Sequence, residues 1–235
     1  MKTKSLRRAV ARAAALALLA GGCAAGPVVF QEHQYAAGPA VSVIGLMPFV
    51  KAGRCGDPGQ PVTHLLDCPP EKLCYDSGEM QPDADSRLTR IMQDALQSSF
   101  GPEAVAAEAA APAPALIGGG SGRITLRERA QRLGERIGAS HVLVGTVWRF
   151  RELLGGAHGA DRPASVAFAV YLVDAASGRM VWEAAFDKTQ QSLMENLLNA
   201  PEFFRHGARW RTAEDLARDG AEKILDRAEQ APSAR

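Results

Sequence analysis

Four cysteines, five histidines and 26 acidic side chains are the groups in this 235-residue chain that could do chemistry. Their spacing decides which kind. Three thiols, Cys55, Cys68 and Cys74, share one segment, "RCGDPGQPVTHLLDCPPEKLCYDSGEM". That spacing fits no zinc pattern such as a paired CxxC, and no Cys-x-x-Cys-His marks a haem attachment. A stapled loop fits better than a metal or redox site: one intrachain bridge forms, one thiol is left over, and which two pair is open. His33, His64, His141, His158 and His206 are scattered, with no HExxH and no G-x-S-x-G among them. His33 and His158 read as loop residues and His141 as a strand entrance. The carboxylate pairs Glu71 with Asp76 and Glu195 with Glu202 could do acid–base work, yet such pairs are commoner as solvated surface. Asp94 and Glu135 fall on the polar sides of their helices. The expectation is no catalytic residue, no metal and no cofactor. One stretch has the composition of a contact surface: in "FFRHGARWR", Phe203, Phe204 and Trp210 are interleaved with Arg205, Arg209 and Arg211. The alternative is that these rings pin the C-terminal helix to the sheet.

The fourth cysteine, Cys23, stands apart. Lys2, Lys4, Arg7, Arg8 and Arg12 precede it, and no acid occurs before Glu32. Ala13 to Ala20 is a short apolar run, far below the roughly 20 residues a membrane-spanning helix needs. A basic head, a short apolar middle and small residues describe a secretory signal over residues 1–22. Arg7-Arg8, in the loose context "SLRRAV", also admits a twin-arginine reading. Ala20-Gly21-Gly22-Cys23 resembles the lipobox of bacterial lipoproteins, with Ala20 where Leu is commoner. The resemblance implies cleavage before Cys23 and acylation of its thiol and new amine. One acyl chain anchors marginally, whereas two or more hold firmly. Ala24 stands where an Asp often retains such proteins in the inner membrane. The implied place is therefore the outer membrane, facing the periplasm.

Removing the signal changes the charge. The chain has 27 basic and 26 acidic residues; without the five basics of residues 1–22, 22 stand against 26, a net charge of about −4. Nucleic-acid binding then has no electrostatic support. Aromatics are only 6% of the chain, which disfavours a carbohydrate-stacking face. What remains suits one moderate domain with decorations. Export also places the thiols in an oxidising compartment, where disulfides persist.

The elements that must position these groups alternate. Residues 23–40 hold the lipidated cysteine and a tether. "VSVIGLMPFV", Val41 to Val50, reads as a strand buried on both faces, with Pro48 near its end. Residues 52–82 form the cysteine-bearing loop. Asp85 to Phe100 is a helix with Leu88, Ile91, Met92, Ala95, Leu96 and Ser99 on one face. Residues 101–122, rich in Ala, Pro and Gly, read as flexible, with room for a short strand near Val105. "GGGSG" lacks the residues of a phosphate loop. Thr125 to Glu128 is a capping box, and Leu126, Ala130, Leu133 and Ile137 form the apolar face of the helix it opens. Gly138 ends that helix. "ASHVLVGTVWRF" is a strand, "GGAHGADRP" a polar turn, and "ASVAFAVYLVDAASGRMVWEAAFDK" two strands about a tight turn. Gln190 to Asn199 reads as helical. Thr212 to Asp215 caps a last helix whose inner face is Leu216, Ala217, Gly220, Ile224 and Leu225. A tail closes the chain at 229–235.

The order predicts an α/β (α+β) fold: a mixed sheet of about four to five strands covered by helices over 41–188, with C-terminal helices of 189–228 on the same domain. The stretches "VIGLMPFV", "LTRIMQDAL", "LGERIGASHVLVGTVWRF" and "VYLVDAASGRMVWEAAF" resemble the small domain shared by three envelope groups. These are the curli-secretion channel lipoprotein, the penicillin-binding-protein activator lipoproteins and the N-terminal domain of the Tol–Pal translocation protein. In that pattern Gly145 and Gly178 serve close approach or positive φ, and Trp148 and Trp182 anchor the sheet–helix core. The resemblance implies a non-catalytic, membrane-anchored adaptor in envelope assembly or regulation, with an envelope protein as partner. The alternatives are a subunit of an oligomeric outer-membrane channel and, further off, a hydrolase.

Overall fold

Two helices cover one side of a mixed sheet and a third covers part of the other. This arrangement is seen in a computed structural model that describes residues 31–34, 43–56, 64–107, 124–156, 159–190 and 211–230. In chain order the strands are β1 (Gln31–Gln34), β2 (Ile44–Leu46), β3 (Val50–Lys51), β4 (Arg54–Cys55), β5 (Leu73–Cys74), β6 (Val105–Ala107), β7 (His141–Arg151), β8 (Leu154–Gly156), β9 (Gly159–Arg162), β10 (Ser165–Asp174) and β11 (Met180–Thr189). The helices are α1 (Ala84–Phe100), α2 (Leu126–Ile137) and α3 (Ala213–Gln230). The main sheet runs β1-β11-β10-β7-β2-β6, with β3 also on β7. β2, β3 and β6 are parallel members, and β1, β10 and β11 pair antiparallel.

Alternation along β10 and β11 divides the core. Val166, Phe168 and Val170 point with Trp182 and Phe186 towards α1 and α3, whose Leu88, Met92, Leu216 and Ile224 meet them. The intervening Ala169, Tyr171 and Val173 turn to the other side, under Leu126, Ala130 and Leu133 of α2. Each large side chain fully removed from water contributes about 1.5–3 kcal/mol. Both helix faces follow the expected spacing, except that Ser99 is exposed: one turn past Leu96 the stripe has already rotated off the sheet. The capping box forms as expected, Thr125 Oγ1 accepting from Glu128 N and Glu128 Oε2 from Thr125 N. Gly138 takes the left-handed conformation that stops α2.

β7 carries an irregularity that matters for the site. Ala167 pairs with Arg149 but Phe168 pairs with Val147, so Trp148 is an extra residue. Such a bulge resets the side-chain parity. Val147 and Phe150 both enter the α1–α3 core, while Trp148 is left half-buried against the α2 side. Of the two expected anchors, Trp182 is buried in the α1–α3 core and Trp148 packs half-buried on the cluster under α2.

Other readings shift. The first strand is broken: Met47, Pro48 and Phe49 separate β2 from β3, and both pieces pair in parallel with β7. Part of the expected tether is strand β1 on the edge of β11, which places His33 in a strand rather than a loop. The Ala/Pro/Gly-rich segment opens with β6, parallel to β2, as the room near Val105 allowed. The polar turn holds the β8–β9 hairpin. The helix expected over 190–199 lies outside the described residues beyond Gln190.

Candidate binding groove

The cysteine loop is built first. Cys55 bonds to Cys68, with Cα atoms 5.7 Å apart, and Cys74 keeps its thiol. β4 and β5 form a two-rung ladder in which Cys55 faces Leu73 and Cys74 faces Arg54. Neighbouring residues of a strand point to opposite sides, so Cys74 sits beside the bridge in sequence pairing but on the other side of the ladder. The loop is bolted down at Cys68, which is fully buried and whose carbonyl accepts from Leu126 N at the start of α2. Arg127 donates to Asp67 at 2.6 and 3.1 Å and to the Gly178 carbonyl at 2.6 Å. That guanidinium holds the Asp67 carboxyl below its ordinary pKa, against the opposing effect of burial.

His64 opens the turn Leu65–Asp67. Its Nδ1 accepts from Leu66 N at 3.2 Å, which places the ring proton on Nε2. Nε2 lies 3.7 Å from Glu183 Oε2. The imidazole stands edge-on to Tyr171, with ring centroids 5.3 Å apart. Leu66, wholly buried, is the hydrophobic pin of this turn.

Between the loop and the sheet lies a groove of about 270 Å³ lined by Gly53, Leu65, Trp148, Ala169, Tyr171, Glu183, Ala184 and Ala185. Its depth follows from side-chain size. Ala169 and Ala185 are cross-strand partners, so two methyl groups form the floor beside the larger Tyr171–Glu183 pair. Trp148, on the same side of β7 as Val142 and Val144, forms one wall and Tyr171 another. Gly53 closes up against Trp148: a Cβ on Gly53 would lie 3.1 Å from the Trp148 Cβ. Glu183 is the one formally charged residue among the lining residues. Burial pushes the Tyr171 hydroxyl pKa up, so it is neutral at physiological pH.

The sequence matches no protein-family model and no curated protein. Solved structures do resemble it. The chain is similar to the PelC dodecamer from Paraburkholderia phytofirmans, at 18% identity and a TM-score of 0.47, covering 84% of this chain and 94% of that one. It is similar to lipoprotein GNA1162 from Neisseria meningitidis, at 14% identity and a TM-score of 0.38, covering 72% and 99%. It is also similar to the LpoB C-terminal domain from Escherichia coli, at 13% identity and a TM-score of 0.33, covering 66% and 88%.

Of the residues singled out from sequence, Cys23, Phe203, Phe204, Arg205, Arg209 and Trp210 lie outside the described residues, as do Glu195, Glu202, His158 and His206. The ends of the segment that holds the aromatic–arginine stretch do meet: Arg211 N donates to Gln190 Oε1 at 2.8 Å. Asp76 accepts from Gly78 N and caps a short turn, and Glu71 is exposed in the preceding one. Asp94 and Glu135 are exposed, as expected. His141 is fully buried, its Nδ1 3.0 Å from Ser140 Oγ. Among the described residues no three His, Cys, Asp or Glu side chains gather as metal ligands, and no helix is long and apolar enough to cross a membrane. The groove itself was missed from sequence. Its signal is small residues in both strands of the hairpin, Ala169 in "VAFAVYLV" and Ala185 in "VWEAAF", which meet only when the strands pair.

Proposed function

We propose that this protein is a lipid-anchored, non-catalytic binding protein of the cell envelope, held by acyl chains on Cys23 and presenting its α/β domain to a protein partner in the periplasm. The observation that carries the binding role is the groove: an aromatic-walled, alanine-floored recess on a sheet face that α2 leaves partly uncovered, stiffened on one side by the Cys55–Cys68 loop. Apolar recesses with a few placed polar groups are the usual form of a binding site. The aromatic–arginine stretch at Phe203, Phe204, Arg205, Arg209 and Trp210 supplies a second contact of hot-spot composition.

The test is made in membranes. A photo-crosslinking residue at Ala185 of the full-length protein should capture one envelope protein, and the same residue at exposed Arg90 on α1 should not. A palmitate analogue should label the protein and should fail to label Cys23→Ser. Label that persists in Cys23→Ser would remove the anchor from the proposal. Equal capture from both positions, or from neither, would remove the binding role. A large ring on size exclusion in detergent would favour a channel subunit instead.

A further inference from the structure

We infer that the end of the sheet that carries the β8–β9 hairpin lies on the phospholipid surface, with Leu154 entering it. This rests on the reading of Cys23 as the acylated anchor and adds the face that the anchor holds against the bilayer. Seven residues separate Cys23 from Gln31, the first residue of β1. Even fully extended, that stretch spans at most about 29 Å, so the anchor keeps the domain close to the membrane. Gln31 is also the end of β1 nearer the β11 terminus: it pairs with Ala185, whereas Gln34 pairs with Trp182. The anchor therefore joins the sheet from the end at which Arg151, Ser165 and Thr189 stand in register.

That end also carries the exposed apolar surface. Among the described residues the exposed large hydrophobic side chains are Tyr75 and Leu154, at 46% and 50%. Scattered singly they would need no explanation, but both sit at this end. Leu154 is three residues past Arg151 and opens the hairpin. Tyr75 lies between Cys74, whose carbonyl accepts from Gly53 N, and Glu79, which pairs with Arg151 at 2.7 Å. Leu154 and Arg162 are cross-strand partners, so their side chains share one side of the hairpin, and Arg162 is exposed. A leucine in the acyl boundary, an arginine at the phosphates and a tyrosine at the headgroups make an interfacial contact. The opposite end differs: the turn between β10 and β11 exposes Ser177 and Arg179 and no large apolar side chain. So small a contact would not hold a free protein. On a short tether it does not have to, because the anchor supplies a high effective concentration. With the strands upright on the bilayer, the groove on the sheet face opens sideways, where a membrane-bound partner can reach it.

The experiment uses the full-length acylated protein in vesicles of phosphatidylcholine and phosphatidylglycerol. An aromatic diazirine residue replaces Leu154, Tyr75 or, at the opposite end, Ala176. All three positions are exposed, so the replacements leave the core untouched. After illumination, mass spectrometry reads the adducts. Positions 154 and 75 should capture phospholipid, and position 176 should not. With the reporter at 75, Leu154→Ser should cut lipid capture by about tenfold, the scale of burying the exposed half of a leucine side chain. Protein that floats with the vesicles through Cys23 can still overturn the inference. It does so if lipid capture is absent at 154 or 75, if it is equal at 154 and 176, if Leu154→Ser has no effect, or if two copies of the chain crosslink in place of lipid. Each of those results leaves the anchor standing. Protein that does not float with the vesicles would sink the anchor and the inference together.

Discussion

The imidazole of His64 stands at 75° to the ring of Tyr171, with centroids 5.3 Å apart, and this contact joins the cysteine loop to the open face of the sheet. The same imidazole accepts from Leu66 N at 3.2 Å and so shapes the turn that buries Leu66. His64→Ala removes both interactions. An aromatic pair is worth about 0.5–1.5 kcal/mol beyond its buried area. The variant should therefore unfold in urea with a loss of about 1 kcal/mol or somewhat more. His64→Phe keeps the ring and lacks the acceptor, and it should recover only part of the loss. Identical midpoints for all three proteins would show that the bridge alone holds the loop.

The bridge is the larger contribution. Cys55 and Cys68 are 13 residues apart, and closing a loop of that size stabilises by about 3 kcal/mol through the unfolded state. Cys55→Ser should lower the unfolding free energy by that amount, and reductant should do the same to the natural chain. Cys74→Ser should leave it unchanged, because its thiol lies across the ladder from the bridge. If Cys74→Ser destabilised as much as Cys55→Ser, the pairing would be wrong.

Most of this architecture could be read from residue patterns, and the reasons for the exceptions are physical. Strand β10 announces itself because Val166, Phe168 and Val170 alternate with residues of the other face. Helix α2 is framed by Thr125 and Gly138, whose side chain and conformational freedom act locally. By contrast, β1 is held by a partner far along the chain, β11, and little in its own residues marks it. Pairing of Cys55 with Cys68 depends on where the loop docks on α2, so spacing left it open. Phe150 is placed by a distant partner in the same way: only the bulge opposite Ala167 returns it to the side of Val147. The groove needed two alanines from separate strands to fall in register, Ala169 on Ala185.

Gly145 tests a close contact inside the core. A Cβ placed there would lie 2.4 Å from ring atoms of Phe49, a residue that is itself buried against Phe168. Gly145→Ala should therefore destabilise by about 1–3 kcal/mol, the usual cost of overpacking a filled core. Phe49→Leu in the same chain makes room and should cancel part of that cost. The check is a double-mutant cycle by urea denaturation. Strict additivity of the two substitutions would mean that they do not meet.

His141 should give the fold a pH dependence that one substitution removes. It is fully buried at the entrance to β7, between Ile44 of β2 and Asp174 of β10 in the sheet register. Burial pushes its pKa below the ordinary value, and the nearby Asp174 carboxylate only partly offsets this. In the unfolded chain a histidine titrates near pH 6.5, so as pH falls the unfolded state takes up this proton first. The stabilisation is full above about pH 6.5 and declines below it, continuing until the pH has passed the depressed folded value. His141→Leu also loses the Ser140 contact, which shifts stability by a constant; the diagnostic is the slope. Between pH 7 and pH 5 the natural chain should lose stability relative to His141→Leu, in urea titrations run at matched ionic strength. Parallel curves for the two proteins would show that His141 binds its proton equally well folded and unfolded. A natural chain that gains on the variant as pH falls would mean that Asp174 outweighs burial.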